Sequence, residues 1–179
     1  IKQGGNGKSR LAEILSQAER EALSLRMASR VLFELGRCDG ISDITILSTE
    51  RPDWWSGSWV PDAGQGLNSE INGWRQTRGT DEILIIHADL PLLQAEDVRH
   101  LLDLAEAEGI ALATDRAGEG SNALAIADGR PFEFRFGPGS RGLHAAQSPE
   151  MTVVQRTGLS ADIDALDDLK FAREHGFTG

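Results

Sequence analysis

Residues 82–93 read EILIIHADLPLL, and this stretch decides the fold class. Its first half is a short apolar run rich in isoleucine, bounded by Glu82 and His87. Such a run is typical of a strand that helices cover on both faces, as in parallel sheets. Asp89 follows directly. The stretch therefore predicts a buried strand over 82–87 with an acidic residue at its carboxyl end, where open α/β sheets bind ligands.

Predicted strands and helices alternate upstream and downstream of this strand. A second isoleucine-rich run predicts a strand over 43–48, and the segment between the two contains Trp54, Trp55 and Trp59 in a predicted loop. Ser16 and Glu19 are spaced as a capping box, with Gly36 as a stop. Helices are predicted over 9–15, 16–35, about 68–78 and 94–108.

The second half of the chain has a different pattern. Strands are predicted over 110–113, 123–127, 131–136 and 151–155, and helices over 139–146 and 165–175. Strands and helices alternate in the first half of the chain, and mixed strands follow in the second half. This order predicts a three-layer α/β/α sandwich, with a mostly parallel mixed sheet that has an antiparallel edge. The length of 179 residues fits one domain, 1–179.

Composition limits the partners. The formal net charge of −10 argues against nucleic-acid and anionic membrane surfaces, which require basic footprints. The single cysteine, Cys38, allows no internal disulfide and predicts a reducing cytoplasm and a buried thiol. Because the sequence starts with Ile1 rather than Met, we expect most of a first strand to be missing from it.

Three aspartates could carry chemistry. Asp89 lies at the predicted ligand edge, but it could equally be a cap or turn residue before the next helix. Asp162 and Asp164 are alternate residues of an extended segment and could share a face. Two such carboxylates repel unless a cation lies between them, which suggests Mg²⁺, although Asp164 could instead cap the following helix.

Glycine-rich turns form the second group of candidates. GGNGKS at residues 4–9 lacks the leading glycine of a Walker loop, so an ATPase or GTPase loop is disfavoured. Lys2, Lys8 and Arg10 around it could still bind phosphates. Further glycine turns occur at 62–68, 118–122 and 137–140, and the last is a candidate anion pocket. His144, shortly after it, is expected to be a solvated or capping histidine.

Taken together, these stretches resemble the CofC/FbiD family of guanylyltransferases of deazaflavin coenzyme F-420 biosynthesis. The resemblance rests on motifs in the family's order: IK and KSRLA at the start, then DAGQGLN, HADLPLL, DRAGEGSNAL, FGPGSRGLH and DIDALDDL. It covers nearly the whole chain. The family's fold is the nucleotide-diphospho-sugar transferase type, similar to MobA, in agreement with the predicted sandwich.

The resemblance implies a role for each motif. Asp89, Asp162 and Asp164 would hold Mg²⁺, and Lys2, Lys8 and Arg10 would neutralise the triphosphate of GTP. Residues Gly66, Leu67 and Asn68 would lie near the nucleotide, and Ser121, Gly137 and Ser140 would bind the carboxylate of the acceptor. Lys8, Arg10 and Asp89 would be catalytic, with GMP transferred to a phosphorylated hydroxy acid and pyrophosphate released.

The sequence departs from the family pattern at three places. Ser121 replaces the usual threonine, Arg141 replaces an aromatic residue, and QGGNG replaces a proline-containing linker. The acceptor therefore stays open among 2-phospho-L-lactate, phosphoenolpyruvate and 3-phospho-D-glycerate, and Arg141 could favour the last by pairing with its carboxylate.

Two alternatives to this function also stay open. One is transfer of another nucleotide, or transfer to a sugar phosphate. The other is a non-catalytic nucleotide-binding protein. A homodimer is compatible with the sequence, although no stretch specifies one.

Overall fold

The computed structural model describes residues 9–78 and 82–178. The predictions for Lys2, Lys8 and the loop between them therefore lie outside the described residues. The described helices are α1 (Gln17–Leu35), α2 (Leu67–Arg78), α3 (Ala95–Glu108), α4 (Ser140–Ala145), α5 (Thr157–Ser160) and α6 (Leu166–Glu174). The strands are β1 (Thr45–Ser48), β2 (Ser58–Pro61), β3 (Ile83–Ile86), β4 (Ile110–Thr114), β5 (Ser121–Ile126) and β6 (Thr152–Val154).

Four of these strands form the main sheet, in the order β3-β5-β4-β6. Strand β4 is parallel to β6, whereas β5 is antiparallel to both β3 and β4. The predicted mixed sheet is confirmed, but the prediction of an antiparallel edge is wrong, because β5 lies between two parallel strands. The short turn at residues 115–120 explains this position, since so short a connection can join only antiparallel neighbours.

Local signals placed α1 correctly. Ser16 Oγ accepts a hydrogen bond from the Glu19 amide, the Glu19 carboxylate accepts one from the Ser16 amide, and Gly36 is the C-cap. The helix predicted over 9–15 is wrong: only Ser9–Leu11 forms a 3₁₀ turn. Ser16 is extended, with ψ 165°, and so few residues do not sustain an independent helix.

The main sheet buries both faces, which confirms the three-layer sandwich. On one face the small side chains of Ala111, Ala113, Ala123 and Ala125 pack against α1 and α3. On the other face larger side chains pack against α2 and a group of phenylalanines; from the sheet these are Ile83, Ile110, Leu112, Leu124 and Ile126. Alanines allow a helix to approach the sheet closely, so α3 lies directly on β4 and β5.

Residues 131–136 were predicted as a strand, and this prediction is wrong. The segment is extended but pairs with no strand of the described chain. Its backbone is held by side chains of α2: the Asn72 amide exchanges two hydrogen bonds with Phe134, at 2.9 and 3.1 Å, and Asn68 does the same with Phe136, at 2.7 and 2.9 Å. Phe134 and Phe136 are thereby buried.

The tryptophan-rich loop contains a strand that the sequence did not predict. Strand β2 pairs in parallel with β1, with Ile46 opposite Trp59, and the Trp59 indole donates to Ser48 Oγ at 3.0 Å. The helical turn α5 was also missed. Cys38 is buried and free, as predicted.

Candidate functional site

Polar residues from three neighbouring segments meet at one edge of the main sheet. The parallel strands β3 and β4 end there, and the antiparallel strand β5 begins there. The His87 amide donates to the Asn122 carbonyl at 2.8 Å, which fixes the end of β3 beside the start of β5. This is the carboxyl edge at which the sequence predicted a ligand site.

A β-bulge reverses the sides of the sheet to which the first two side chains of β5 point. Ala113 is opposite Ala123, but Thr114 is opposite Ser121, so Asn122 is the extra residue. A bulge interrupts the alternation of side chains and redirects those that follow. As a result, Ser121 contacts His144 on the phenylalanine side, and Asn122 contacts Leu159 and Asp162 on the α5 side.

The backbone brings Asp89 next to the segment that contains the other two aspartates. The Asp89 carbonyl accepts a hydrogen bond from the Ile163 amide at 3.3 Å. The capping interpretation of Asp89 is wrong, because the N-cap of α3 is Gln94. It is also wrong for Asp164: the N-cap of α6 is Ala165, whose amide donates to the Asp168 carboxylate at 2.9 Å.

Asp162 and Asp89 are half-buried, whereas Asp164 is exposed. The Asn122 side chain donates to the Asp162 carboxylate at 2.9 Å. Burial raises the pKa of the Asp162 carboxyl, and the nearby charges of Asp89 and Asp164 act in the same direction, whereas the hydrogen bond from Asn122 opposes the change. The edge of the sheet therefore concentrates negative charge, which a cation would neutralise.

The donor set suits a hard divalent cation, because it consists of carboxylate oxygens. Among residues 9–78 and 82–178, however, no group of three or more acidic, histidine or cysteine side chains is arranged to hold a metal ion. Magnesium is usually bound by one or two carboxylates, together with waters and substrate phosphates. The aspartates thus fit a metal that arrives with its nucleotide better than an all-protein metal cage.

A cleft of about 1030 Å³ lies beside these acids. Its polar part includes several predicted site residues: Arg10, Gly66, Leu67, Asp89 and Asp164. Its apolar part is lined by residues of β1 and β3, among them Ile46 and Ile85. The described chain thus brings one phosphate-binding candidate and two metal-binding candidates together with the glycine turn before α2.

Among residues 9–78 and 82–178, the other predicted site residues do not line this cleft. The amide of Asn68 is occupied by Phe136, as described above, so its side chain has a structural role. Asp62 Oδ1 accepts from the Gly64 amide at 2.8 Å, which shapes the turn in which Gly64 and Gly66 have positive φ angles. This turn leaves backbone rather than the Asn68 side chain facing the cleft.

The acceptor candidates lie around the start of α4. Ser140 is buried as the first residue of the helix, and His144 follows one turn later. The prediction that His144 is solvated or capping is wrong, because it is fully buried and its ring packs against Phe132 and Phe136, with centroids 5.5 and 5.1 Å away. Its Nδ1 is 3.0 Å from Ser121 Oγ. Gly137, with φ 129°, has open space where a Cβ would be.

Comparison with known proteins identifies the arrangement. The family model described as "Guanylyl transferase CofC like" matches residues 1–177. The chain belongs to this family. It is therefore a nucleotidyltransferase, as the resemblance implied, and enzymes of this kind generally work with a divalent metal.

Individual relatives agree with this assignment. The CofC-like chain is 33% identical to a phosphoenolpyruvate guanylyltransferase of Sphaerobacter thermophilus, over 100% of this chain and 92% of the relative. It is 30% identical to the enzyme of the same name from Rubrobacter xylanophilus, over 94% and 88%. A crystal structure from Desulfovibrio desulfuricans, described as a nucleotide-diphospho-sugar transferase, shares the fold with a TM-score of 0.76 at 15% identity, covering 100% of this chain and 86% of that one.

Sequence reasoning missed two residues that contact candidate site residues: Asn122 binds Asp162, and His144 contacts Ser121. Asn122 lies inside the motif DRAGEGSNAL and was assigned no role, and His144 ends FGPGSRGLH but was expected to be solvated or capping. Their membership in the motifs was the available signal.

No helix in the described part of the chain is long and apolar enough to cross a membrane.

Proposed function

We propose that the chain transfers GMP from GTP to the phosphate of a three-carbon phosphorylated acid and releases pyrophosphate, as a step in coenzyme F-420 biosynthesis. The observation that carries the proposal is the match to the guanylyl transferase family over residues 1–177. Phosphoenolpyruvate is the favoured acceptor, because the relatives that are 33% and 30% identical bear its name. We propose residues 1–179 as a single nucleotidyltransferase domain.

In the proposed reaction, an oxygen of the acceptor phosphate attacks the α-phosphorus of GTP. A new P–O bond forms to the acceptor, and the bond between the α-phosphorus and the bridging oxygen to the β-phosphate breaks. The attacking phosphate is already ionised, so no general base is needed. The main obstacle is repulsion, since two unit charges about 4 Å apart repel by about 4 kcal/mol at an effective dielectric of 20.

Basic residues of the chain would reduce this repulsion. Arg10 lines the cleft together with Asp89 and Asp164, and this arrangement supports a role for Arg10 in binding the triphosphate. Lys2 and Lys8 are proposed for the same role from their motif. The turn at Gly66 and Leu67 would contact the nucleotide through its backbone, next to Asn68 in the first turn of α2.

Asp89, Asp162 and Asp164 are proposed to hold Mg²⁺. When bound, the metal would supply positive charge at the phosphate oxygens. The shared edge of the sheet, the carboxylate donor set and the raised pKa of Asp162 support this assignment. Asn122 keeps Asp162 oriented by a hydrogen bond that does not depend on the metal.

The acceptor would be bound by Ser121, Gly137 and Ser140. Arg141 is close to this group: its guanidinium donates to the Gly118 carbonyl at 2.8 Å, and its own amide donates to the Glu119 carbonyl at 3.1 Å. The preference of Arg141 for 3-phospho-D-glycerate stays a prediction. Comparing Arg141→Phe with the parent on all three acids would test it, with a larger loss for 3-phospho-D-glycerate expected.

The decisive experiment measures pyrophosphate release with GTP, Mg²⁺ and each of the three acids. We expect release with phosphoenolpyruvate and none after chelation of the metal. Parallel reactions with CTP, ATP and UTP, and with a sugar phosphate as acceptor, test the alternative transferase activities. Binding of GTP without release under any condition would instead support a non-catalytic protein. Sedimentation of the purified chain tests the proposed homodimer.

A further inference from the structure

The imidazole of His144 has a defined hydrogen-bond partner on each ring nitrogen. Its Nε2 is 2.8 Å from the backbone amide of Arg135, and its Nδ1 is 3.0 Å from Ser121 Oγ. A backbone N–H can only donate, so Nε2 must be the unprotonated acceptor. Burial, aided by the charge of Arg135, lowers the pKa of His144 to about 4. The ring is neutral near pH 7, and its single proton is on Nδ1.

This tautomer fixes the role of the serine hydroxyl. The Nδ1–H group of His144 donates to Ser121 Oγ. Because the serine oxygen accepts this hydrogen bond, its own hydroxyl proton must point away from the ring. Ser121 itself is buried, with 3% of its surface exposed, and makes no other side-chain hydrogen bond to the described residues. A buried O–H that lacks an acceptor is costly, and a ligand oxygen would remove that cost.

We propose that His144 is a positioning residue that holds the Ser121 hydroxyl as a hydrogen-bond donor toward an anionic oxygen of the acceptor acid. The inference rests on the proposed function, because it takes Ser121, Gly137 and Ser140 as the acceptor site. Ser140 and His144 lie one turn apart on the same buried face of α4. The bulge at Asn122 places Ser121 opposite that face.

This hydrogen-bond arrangement makes the site selective for ligand groups that accept a hydrogen bond. A hydroxyl that can rotate freely serves a ligand donor or a ligand acceptor equally well. A hydroxyl that accepts a hydrogen bond from His144 must direct its own proton away from the ring, so it favours a carboxylate or phosphate oxygen, which accepts that proton in a charge-assisted hydrogen bond, over an amide N–H, which cannot accept it. Its expected ligand is therefore the carboxylate of the phosphorylated acid.

The first test is spectroscopic and does not depend on turnover. Nitrogen-15 NMR of the histidine side chains distinguishes the two neutral tautomers, and His144→Gln identifies the His144 signals. We expect the Nδ1–H form throughout pH 5 to 8, although free histidine is largely charged at the lower end of this range. Observation of the Nε2–H form, or of a charged ring at pH 6, would overturn the inference.

The second test measures binding by titration calorimetry, with phosphoenolpyruvate and GTP as separate probes. His144→Phe and Ser121→Ala should each weaken phosphoenolpyruvate binding about tenfold or more and leave GTP binding unchanged, and the double variant should be no worse than either single variant. Ser121→Thr keeps the hydroxyl, and His144→Gln can accept from Arg135 and donate to Ser121, so both should bind nearly as the parent does.

Ser121→Ala keeps the test decisive if His144→Phe does not fold. Full additivity of the two losses, or an equal loss of GTP affinity, would contradict the inference. His100→Gln changes an exposed histidine of α3 and serves as the matched control. Failure of the parent to release pyrophosphate with any acid would overturn the proposed function alone, because tautomer and binding are measured without turnover.

Discussion

The side chain of Asn122 donates to the Asp162 carboxylate at 2.9 Å and to the Leu159 carbonyl at 3.1 Å. These two bonds attach the bulge of the central antiparallel strand to the segment that carries Asp162 and Asp164. The asparagine is buried, with 3% of its surface exposed, so it has a fixed orientation. A substitution of Asn122 should therefore alter the position of the Asp162 carboxylate at the edge of the sheet.

We expect Asn122→Ala to lower guanylyl transfer by about 10-fold to 100-fold, the usual effect of removing a partner that orients a metal ligand. The variant should also lose about 1–3 kcal/mol of unfolding free energy, because the Leu159 carbonyl is left without its donor. Steady-state pyrophosphate release and urea denaturation measure the two effects. Unchanged turnover in the folded variant would show that Asp162 does not need Asn122.

The three aspartates should be individually essential for turnover. Asp89→Asn, Asp162→Asn and Asp164→Asn each replace a carboxylate by an amide of the same shape, and each should cut turnover by at least about a hundredfold, on the order of 2.7 kcal/mol of barrier. Folding should survive. Asp167→Asn is the matched control, since that side chain is 89% exposed on the neighbouring helix. Near-parental rates in all three variants, with unchanged Mg²⁺ dependence, would refute the assignment.

His144 should make the protein sensitive to acid. Its pKa is about 4 in the folded protein against an ordinary 6.5, so the unfolded state takes up the proton first as the pH falls. The stability linked to His144 is complete above pH 6.5 and is lost progressively toward pH 4, on the order of 3 kcal/mol in all.

Denaturation midpoints measured between pH 7 and pH 4 test this expectation. Other carboxyl groups titrate in the same range, so the informative quantity is the difference between the parent and His144→Gln. We expect the variant to lose stability less steeply than the parent, and His100→Gln to follow the parent. Identical slopes for the parent and His144→Gln would mean that the buried imidazole does not resist protonation.

Two glycines should respond oppositely to alanine. A Cβ at Gly158 would collide with the Asp97 carboxylate and lie 3.0 Å from the Leu92 carbonyl, whereas a Cβ at Gly73 would meet nothing within 4 Å. Gly158→Ala should lower the unfolding free energy by about 1–3 kcal/mol. Gly73→Ala, inside α2, should raise it by about 0.5–1 kcal/mol. Thermal unfolding of both variants distinguishes these effects, and equal shifts would contradict the packing around Gly158.

The features that the sequence predicted well are the local ones. The capping box of Ser16 and Glu19 involves neighbouring residues, and it placed the start of α1 correctly. The isoleucine run before His87 was sufficient to predict β3, and Asp89 lies just beyond the carboxyl end of that strand. Recognition of ordered motifs supplied the family and the reaction, which periodicity and charge alone did not determine.

The features that it missed depend on distant partners. Phe132, Phe134 and Phe136 alternate as in a strand, but the hydrogen bonds of residues 134 and 136 come from Asn72 and Asn68, 62 and 68 positions away. Burial of His144 likewise results from the packing of α4 against these rings. No local pattern distinguishes such a histidine from an exposed one.

The extended segment at residues 134–136 has a consequence for amide exchange. The N–H groups of Phe134 and Phe136 bind side chains of α2, whereas the N–H between them, on Arg135, binds His144 of α4. These protons can exchange with deuterium only when a helix separates from the segment. Equal exchange rates at all three residues would mean that both helices detach in one cooperative opening. A faster rate at Arg135 alone would mean that α4 separates first, exposing Ser121 and Ser140 while α2 stays packed against residues 134 and 136.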